Sequence, residues 1–165
     1  MNLFSEEVQD LLILTNFSDK ARLFPGWWKK ADCKYNPRAI FVFGDNDVQK
    51  GCGGQAIIRY CPNAMGIPTK KFPSYADGAY YTDREFEKNK MKIVDSIENL
   101  ILAFDSGEYD VIYFPEDGLG TGLSKLDEKA PRTLEFLNDL IYDVFKIDYA
   151  DSSNQPDSGS SDSSE

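Results

Sequence analysis

Two short apolar runs constrain this chain most. Ala39–Phe43 (AIFVF) and Asp110–Phe114 (DVIYF) are each bounded by turn signals and followed by glycine-rich sequence. A strand that is apolar on both alternating faces must be covered on both, which is the condition of parallel sheets flanked by helices. Helix-forming sequence follows each glycine stretch. QAIIRY, residues 55–60, has the pattern of a short helix, and Asn63–Ile67 that of a further strand closed by Pro68. From Thr82, TDRE has the spacing of a capping box, and Phe86, Ile93, Ile97, Leu100, Ile101 and Phe104 recur at helical intervals until Gly107 supplies a stop. Pro131 suits the first turn of a last helix carrying Leu134, Leu137, Leu140, Ile141, Val144 and Phe145. Near the start, Ser5 caps a helix running toward Thr15, whereas residues 24–39, with two prolines and a glycine, read as irregular chain. Strand, loop and helix, twice over, predict one α/β domain over residues 1–150, with three layers, a mostly parallel or mixed sheet and right-handed crossovers.

The composition removes several kinds of chemistry. There is no histidine among the 165 residues, so Ser-His-Asp and Cys-His triads, histidine metal clusters and imidazole acid–base catalysis are excluded. Cys33, Cys52 and Cys61 form no CxxC pair and are odd in number, which indicates neither a disulfide framework nor a thiolate zinc site. No metal and no cofactor is implied. With 18 basic and 28 acidic residues, the formal charge of −10 opposes non-specific binding to phosphate backbones and anionic membranes. No run approaches the roughly 20 apolar residues of a membrane span, and MNLFSEEVQD lacks the pattern of a signal peptide, so a soluble cytoplasmic protein is expected. The last fifteen residues hold seven serines and four acids with no large apolar side chain, the composition of a disordered solubilising tail. A phosphorylation target or a DNA-mimicking arm is the alternative reading of that tail.

The glycine stretches carry the functional signal. Each leaves the carboxyl end of a buried strand and enters a helix, which is where open α/β sheets bind ligands. In the first, Gly44, Gly51, Gly53 and Gly54 remove side chains where backbone must approach a ligand, and the following helix start offers unpaired N–H donors. In the second, Gly118, Gly120 and Gly122 alternate around Leu119, Thr121 and Leu123, with Thr121 and Ser124 supplying hydroxyls. A diphosphate gripped from both sides suits that arrangement. Neither stretch ends in the Gly-Lys-Ser/Thr of a P-loop or forms a clean G-x-G-x-x-G, which disfavours ATP hydrolysis and ordinary NAD oxidoreduction.

FVFGDN, GCGGQAI, GIPTK, a capped helix and VIYFPEDGLGTGLSKLDE follow one another as the elements of macrodomains do, over residues 39 to about 145. The chain most resembles the branch that contains the terminal ADP-ribose glycohydrolase and the antitoxins that remove ADP-ribose from DNA, together with small macrodomain-like proteins of bacteriophages. The resemblance implies a three-layer macrodomain-like fold that binds ADP-ribose or a related adenine diphosphate nucleotide. It places Asn46 against the distal ribose, Gly51, Gly53 and Gly54 beside the diphosphate, and Gly120, Thr121, Gly122 and Leu123 on the second phosphate loop, with Gly44 and Gly118 at the loop starts. The catalytic lysine of that branch falls on Arg59 and its partnering acid on Ser124. Those two departures bear on turnover, because arginine stays protonated and is a poor nucleophile.

Other groups on the loops have two readings each. Asp45, Asp47 and Asp117 could orient water or stabilise positive charge at an anomeric carbon, with Asp45, Asp117 and Ser124 as the catalytic candidates. Turn and cap roles are their plainer reading. Lys70 and Lys71 could reach a phosphate but read as solvated surface, and of Trp27 and Trp28 one is expected to cap the core rather than stack a base. Cys52 has no neighbour that would lower its thiol pKa. The leading function is hydrolysis of an ADP-ribosyl linkage. The rivals are a non-catalytic reader or sequesterer of ADP-ribose or an NAD-derived signal, for instance in phage counter-defence within the host cytoplasm, and an acidic protein-interaction module.

Overall fold

The computed structural model describes residues 3–149, so the tail expectation for residues 151–165 lies outside the described residues. Four parallel strands, β1 (Ala21–Phe24), β2 (Ala39–Asn46), β3 (Ala64–Lys70) and β4 (Val111–Pro115), form one sheet in the order β1-β4-β2-β3. The alternation of β2 settles the layering. Ile40 and Val42 join a core with Val8, Phe17, Ile67, Ile112, Phe114 and the apolar stripes of the helices α3 (Phe86–Asp105) and α5 (Pro131–Phe145). Ala39, Phe41 and Phe43 face the other way, onto Trp28, Cys33 of α2 (Lys30–Tyr35), and Ala56 and Ile58 of a 3-10 turn over Gly54–Ile58. The chain is a three-layer α/β fold with an all-parallel sheet.

Direction of travel and choice of face go together. The chain moves one way across the sheet from β1 to β2 to β3 over the α2 face, and back from β3 to β4 over the α3 face, so every crossover has the same hand. The leading helix α1 (Glu6–Leu14) starts as expected, with Ser5 Oγ accepting from Val8 N. At the other end of the chain, Pro131 does open α5. Among the described residues, no helix is long and apolar enough to cross a membrane.

Three expectations need correction. Residues 24–39 are not irregular throughout, because β1 ends at Phe24 and α2 forms inside the segment, with Asp32 Oδ2 accepting from the Lys29 amide at 3.0 Å. Strand β3 does not stop at Pro68: as an edge strand it tolerates the missing N–H and continues to Lys70. The TDRE box does not close on its own helix. Thr82 makes no side-chain cap, residues Asp83–Glu85 form a 3-10 turn, and Asp83 instead accepts from the amides of Arg132 and Thr133, at 2.8 and 3.0 Å, capping the start of α5. The tryptophan expectation holds, since Trp28 is buried and donates from Nε1 to Val42 O at 2.8 Å, whereas Trp27 is exposed.

Candidate functional site

The connections after β2 and β4, neighbouring strands, leave for opposite faces of the sheet. That divergence opens the crevice in which α/β proteins bind ligands. The second glycine loop arches over the end of β2 toward β3. A Cβ built on Gly44 would lie 3.8 Å from the Gly120 nitrogen, and Thr69 Oγ1, at the end of β3, donates to Ser124 Oγ at 3.0 Å. Leu123 packs onto the first loop, with its Cδ1 3.3 Å from a Cβ position on Gly53 and on Gly54. The two loops therefore touch. One side chain ties the parts together: Gln55 Oε1 accepts from the Gly44 amide at 2.8 Å while its Nε2 donates to Gly118 O at 2.9 Å.

Gly120 shows why this loop is glycine-rich. Its φ is +87°, and any Cβ there would meet Leu126 Cδ2 at 2.8 Å, so both backbone and packing demand glycine. Asp117 stays exposed at the loop start, where the Thr121 hydroxyl donates to its carbonyl, and Gly122 is open to solvent. Gly118 lies against the ring of Tyr149, whose hydroxyl donates to Pro115 O at 2.5 Å and whose pKa is raised chiefly by burial. The short helix α4 (Leu126–Lys129) follows, entered through Lys125 in the left-handed region at φ +49°.

On the first loop the ionised groups are largely engaged with one another. Asp45 pairs with Arg59 at 2.6 Å, the two side chains only 8% and 6% exposed, and Arg59 also donates to the carbonyls of Gly51 and Lys50. Asn46 is buried and its amide donates to Lys50 O at 2.7 Å. Asp47 accepts from the Tyr81 hydroxyl at 2.5 Å and from Lys92 Nζ at 2.7 Å, and burial followed by that bond pushes the Tyr81 hydroxyl's pKa well up. Gly51, at φ +88°, backs onto Pro73. Arg59 and Asp45 thus brace the loop from within, and Asp47 anchors its start to α3. Gly66 leaves room for that brace: a Cβ there would lie 2.6 Å from Asp45 Oδ2. Gly66→Ala is expected to lose about 1–3 kcal/mol in urea unfolding, through overpacking against a rigid ion pair.

Lys70 is the residue whose role the sequence hid. It is not solvated surface but 7% exposed at the end of β3, its ammonium 4.8 Å from the ring centre of Tyr80 and 5.2 Å from that of Tyr75. It forms no ion pair among the described residues. Burial first, and then the charge of Lys125, lower its pKa from the ordinary lysine value. Lys71 differs, pairing with Glu85 at 2.6 Å. The available signal was position: a lysine closing a parallel strand sits at the ligand-binding edge.

Residues 23–140 match the model of a family described as a family of unknown function, DUF7831. The chain belongs to it. The DUF7831 match runs from within β1 to within α5 and so contains all four carboxyl strand ends, both glycine loops, Gln55, Arg59 and Lys70, while leaving out α1. No curated protein and no solved structure matches the chain.

Proposed function

We propose that this chain binds ADP-ribose or a related adenine diphosphate nucleotide at the carboxyl ends of β2 and β4, and hydrolyses an ADP-ribosyl linkage there as a macrodomain-like protein. The observation that carries the reading is the meeting of two glycine loops from neighbouring parallel strands across the end of β2, at Gly44 and Gly120. Backbone amides of two glycine-rich segments brought that close together suit a diphosphate. Leu123 and the Gln55 amide occupy the space between the loops, so a bound diphosphate displaces them.

The catalytic assignment moves with the geometry. Arg59 is held by Asp45 and two carbonyls, and Asp45 in turn by Arg59 and the Asn46 amide. The amine with the properties of a nucleophile is Lys70: desolvated, without a carboxylate partner, and lowered in pKa. Its lone pair attacks the anomeric carbon of the terminal ribose. The bond from that carbon to the acceptor breaks with its electrons leaving on the acceptor, which takes up the proton released from Nζ, and water then hydrolyses the ribosyl–lysine adduct. Thr69, the residue before Lys70 in β3, is hydrogen-bonded to Ser124 of the second loop, and Asp117 at that loop's start is exposed. The engagement of Asp45 and Asp47 favours, as second reading, a reader that binds without turnover.

Thermal unfolding with ADP-ribose, ADP and NAD tests the binding. A ligand at a hundred times its dissociation constant adds about 2.7 kcal/mol of stability. ADP-ribose is expected to raise the midpoint, and Gly53→Val, at an exposed position with an ordinary φ of −79°, to abolish the shift while the protein still folds. No shift with any of the three at millimolar concentration would sink the proposal.

A further inference from the structure

Helix α1 is apolar on more sides than its own chain covers. Its inner face is fixed: Val8 is fully buried, Leu11 and Leu12 pack against the core, and the Ser5 amide ahead of the helix donates to Glu98 Oε2 of α3 at 2.6 Å. The last turn then carries Ile13 and Leu14, each 81% exposed. A helix that is apolar all round is one that is covered all round.

Beside these two side chains runs a groove of about 770 Å³ between α1 and the last turns of α5, lined by Leu3, Phe4, Leu12, Phe17, Leu140 and Val144. Its amide side chains are turned to their own chain: Gln9 Nε2 donates to Phe4 O at 2.7 Å, and Asn16 Oδ1 accepts from the Ser18 hydroxyl at 2.6 Å. What the groove offers a partner is therefore mainly apolar surface. At its α5 end stand the exposed Asp143 and Lys146, and neither forms an ion pair among the described residues. Ile13 and Leu14 line the same groove, so one patch carries a protruding apolar pair, a recess beside it and one charge of each sign. Such a patch is complementary to itself. A twofold axis uses each of these features twice, because residue i meets j and j meets i.

We infer that this face pairs two copies of the chain about a twofold axis, the Ile13–Leu14 turn of each protomer seated in the groove of the other and Asp143 of one set against Lys146 of the other. The pairing is independent of the ADP-ribose reading. Of the residues that line the groove only Leu140 falls within the family match over residues 23–140, whereas both glycine loops and Lys70 lie inside it. The crevice thus stays accessible in the paired state, since its loops take no part in the contact.

Sedimentation equilibrium of the full chain tests this at physiological ionic strength, where repulsion between two copies of charge −10 is screened. The mass is expected to rise toward twice that of one chain, with a dissociation constant below about 100 μM, in keeping with a small interface. Ile13→Asp/Leu14→Asp should remain monomeric throughout. Both positions are exposed, so the variant keeps its fold, which an unchanged thermal midpoint in dilute solution verifies. Asp143→Lys should weaken the dimer at least about tenfold by setting like charges together, and Asp143→Lys/Lys146→Asp should restore it. Aspartate is among the residues that accept the left-handed backbone of position 146, at φ +60°. A parent chain still monomeric at about 1 mM, a dimer that survives Ile13→Asp/Leu14→Asp, or a double reversal no tighter than Asp143→Lys alone overturns the inference.

Discussion

Replacing Arg59 by methionine is expected to destabilise the fold by about 3–5 kcal/mol, the usual loss when one partner of a buried ion pair is removed. The magnitude follows from what is left behind. The Asp45 carboxylate, 8% exposed and wedged against Gly66, would keep only the Asn46 amide as a donor, and the carbonyls of Gly51 and Lys50 would lose the guanidinium that holds them. Methionine preserves much of the side-chain volume, so the loss reports the unpaired charge rather than a cavity. Urea unfolding of Arg59→Met, Asp45→Asn and the double variant measures this directly. The double variant should recover a good part of the loss, since no stranded carboxylate remains. A single-variant loss below about 1 kcal/mol would mean that water reaches the pair and that the first loop is not braced from within.

Lys70→Met is expected to do the opposite: leave folding intact and end turnover. The loss in kcat should be at least about a thousandfold, as when a nucleophile is removed, while ADP-ribose affinity stays within about threefold, because the proposed site assigns the diphosphate to backbone amides on other segments. Lys70→Arg should be equally inactive, since a guanidinium keeps the charge but not the lone pair. The pH dependence has a fixed sign. A lysine must lose its proton before it attacks, and burial lowers the Lys70 pKa, so activity should rise with pH and level off below the 10.5 of an ordinary lysine. Stability carries the same signature. With the folded pKa lowered, the folded state binds fewer protons than the unfolded one between the two values, so stability rises with pH across that window in the parent and not in Lys70→Met. Undiminished turnover in Lys70→Met would remove the lysine mechanism and return attention to Asp117.

The framework of the fold was legible wherever local pattern and tertiary demand coincide. Strands β2 and β4 announced themselves as apolar runs because both of their faces are covered, and α5 did so because Pro131 and a regular apolar stripe agree. Helix α2 was hidden by its length, six residues with Cys33 its one buried side chain, too short for a period to emerge. The capping box at Thr82 misled for a physical reason: the Asp83 carboxylate found better donors in the first turn of α5, fifty residues away, than in its own helix. The glycine loops could be read, but what joins them could not, since Gln55 reaches a carbonyl 63 positions along the chain. Lys70 was obscured by ending β3 too early, which turned the buried last residue of an edge strand into an apparent surface lysine.

Gln55 bears on how relatives of this fold could diverge. Its amide is read with polarity, the oxygen by an N–H of β2 and the nitrogen by a carbonyl beyond β4, so the two ends cannot be exchanged. Asparagine is a methylene too short to span the same gap, and glutamate would set a carboxylate against the Gly118 carbonyl and drive the two segments apart. The spacing between the strand end and the arching loop is thus set by the length and direction of a single side chain. Substitution at this one position is the shortest evolutionary route to a wider or narrower opening on an otherwise unchanged sheet.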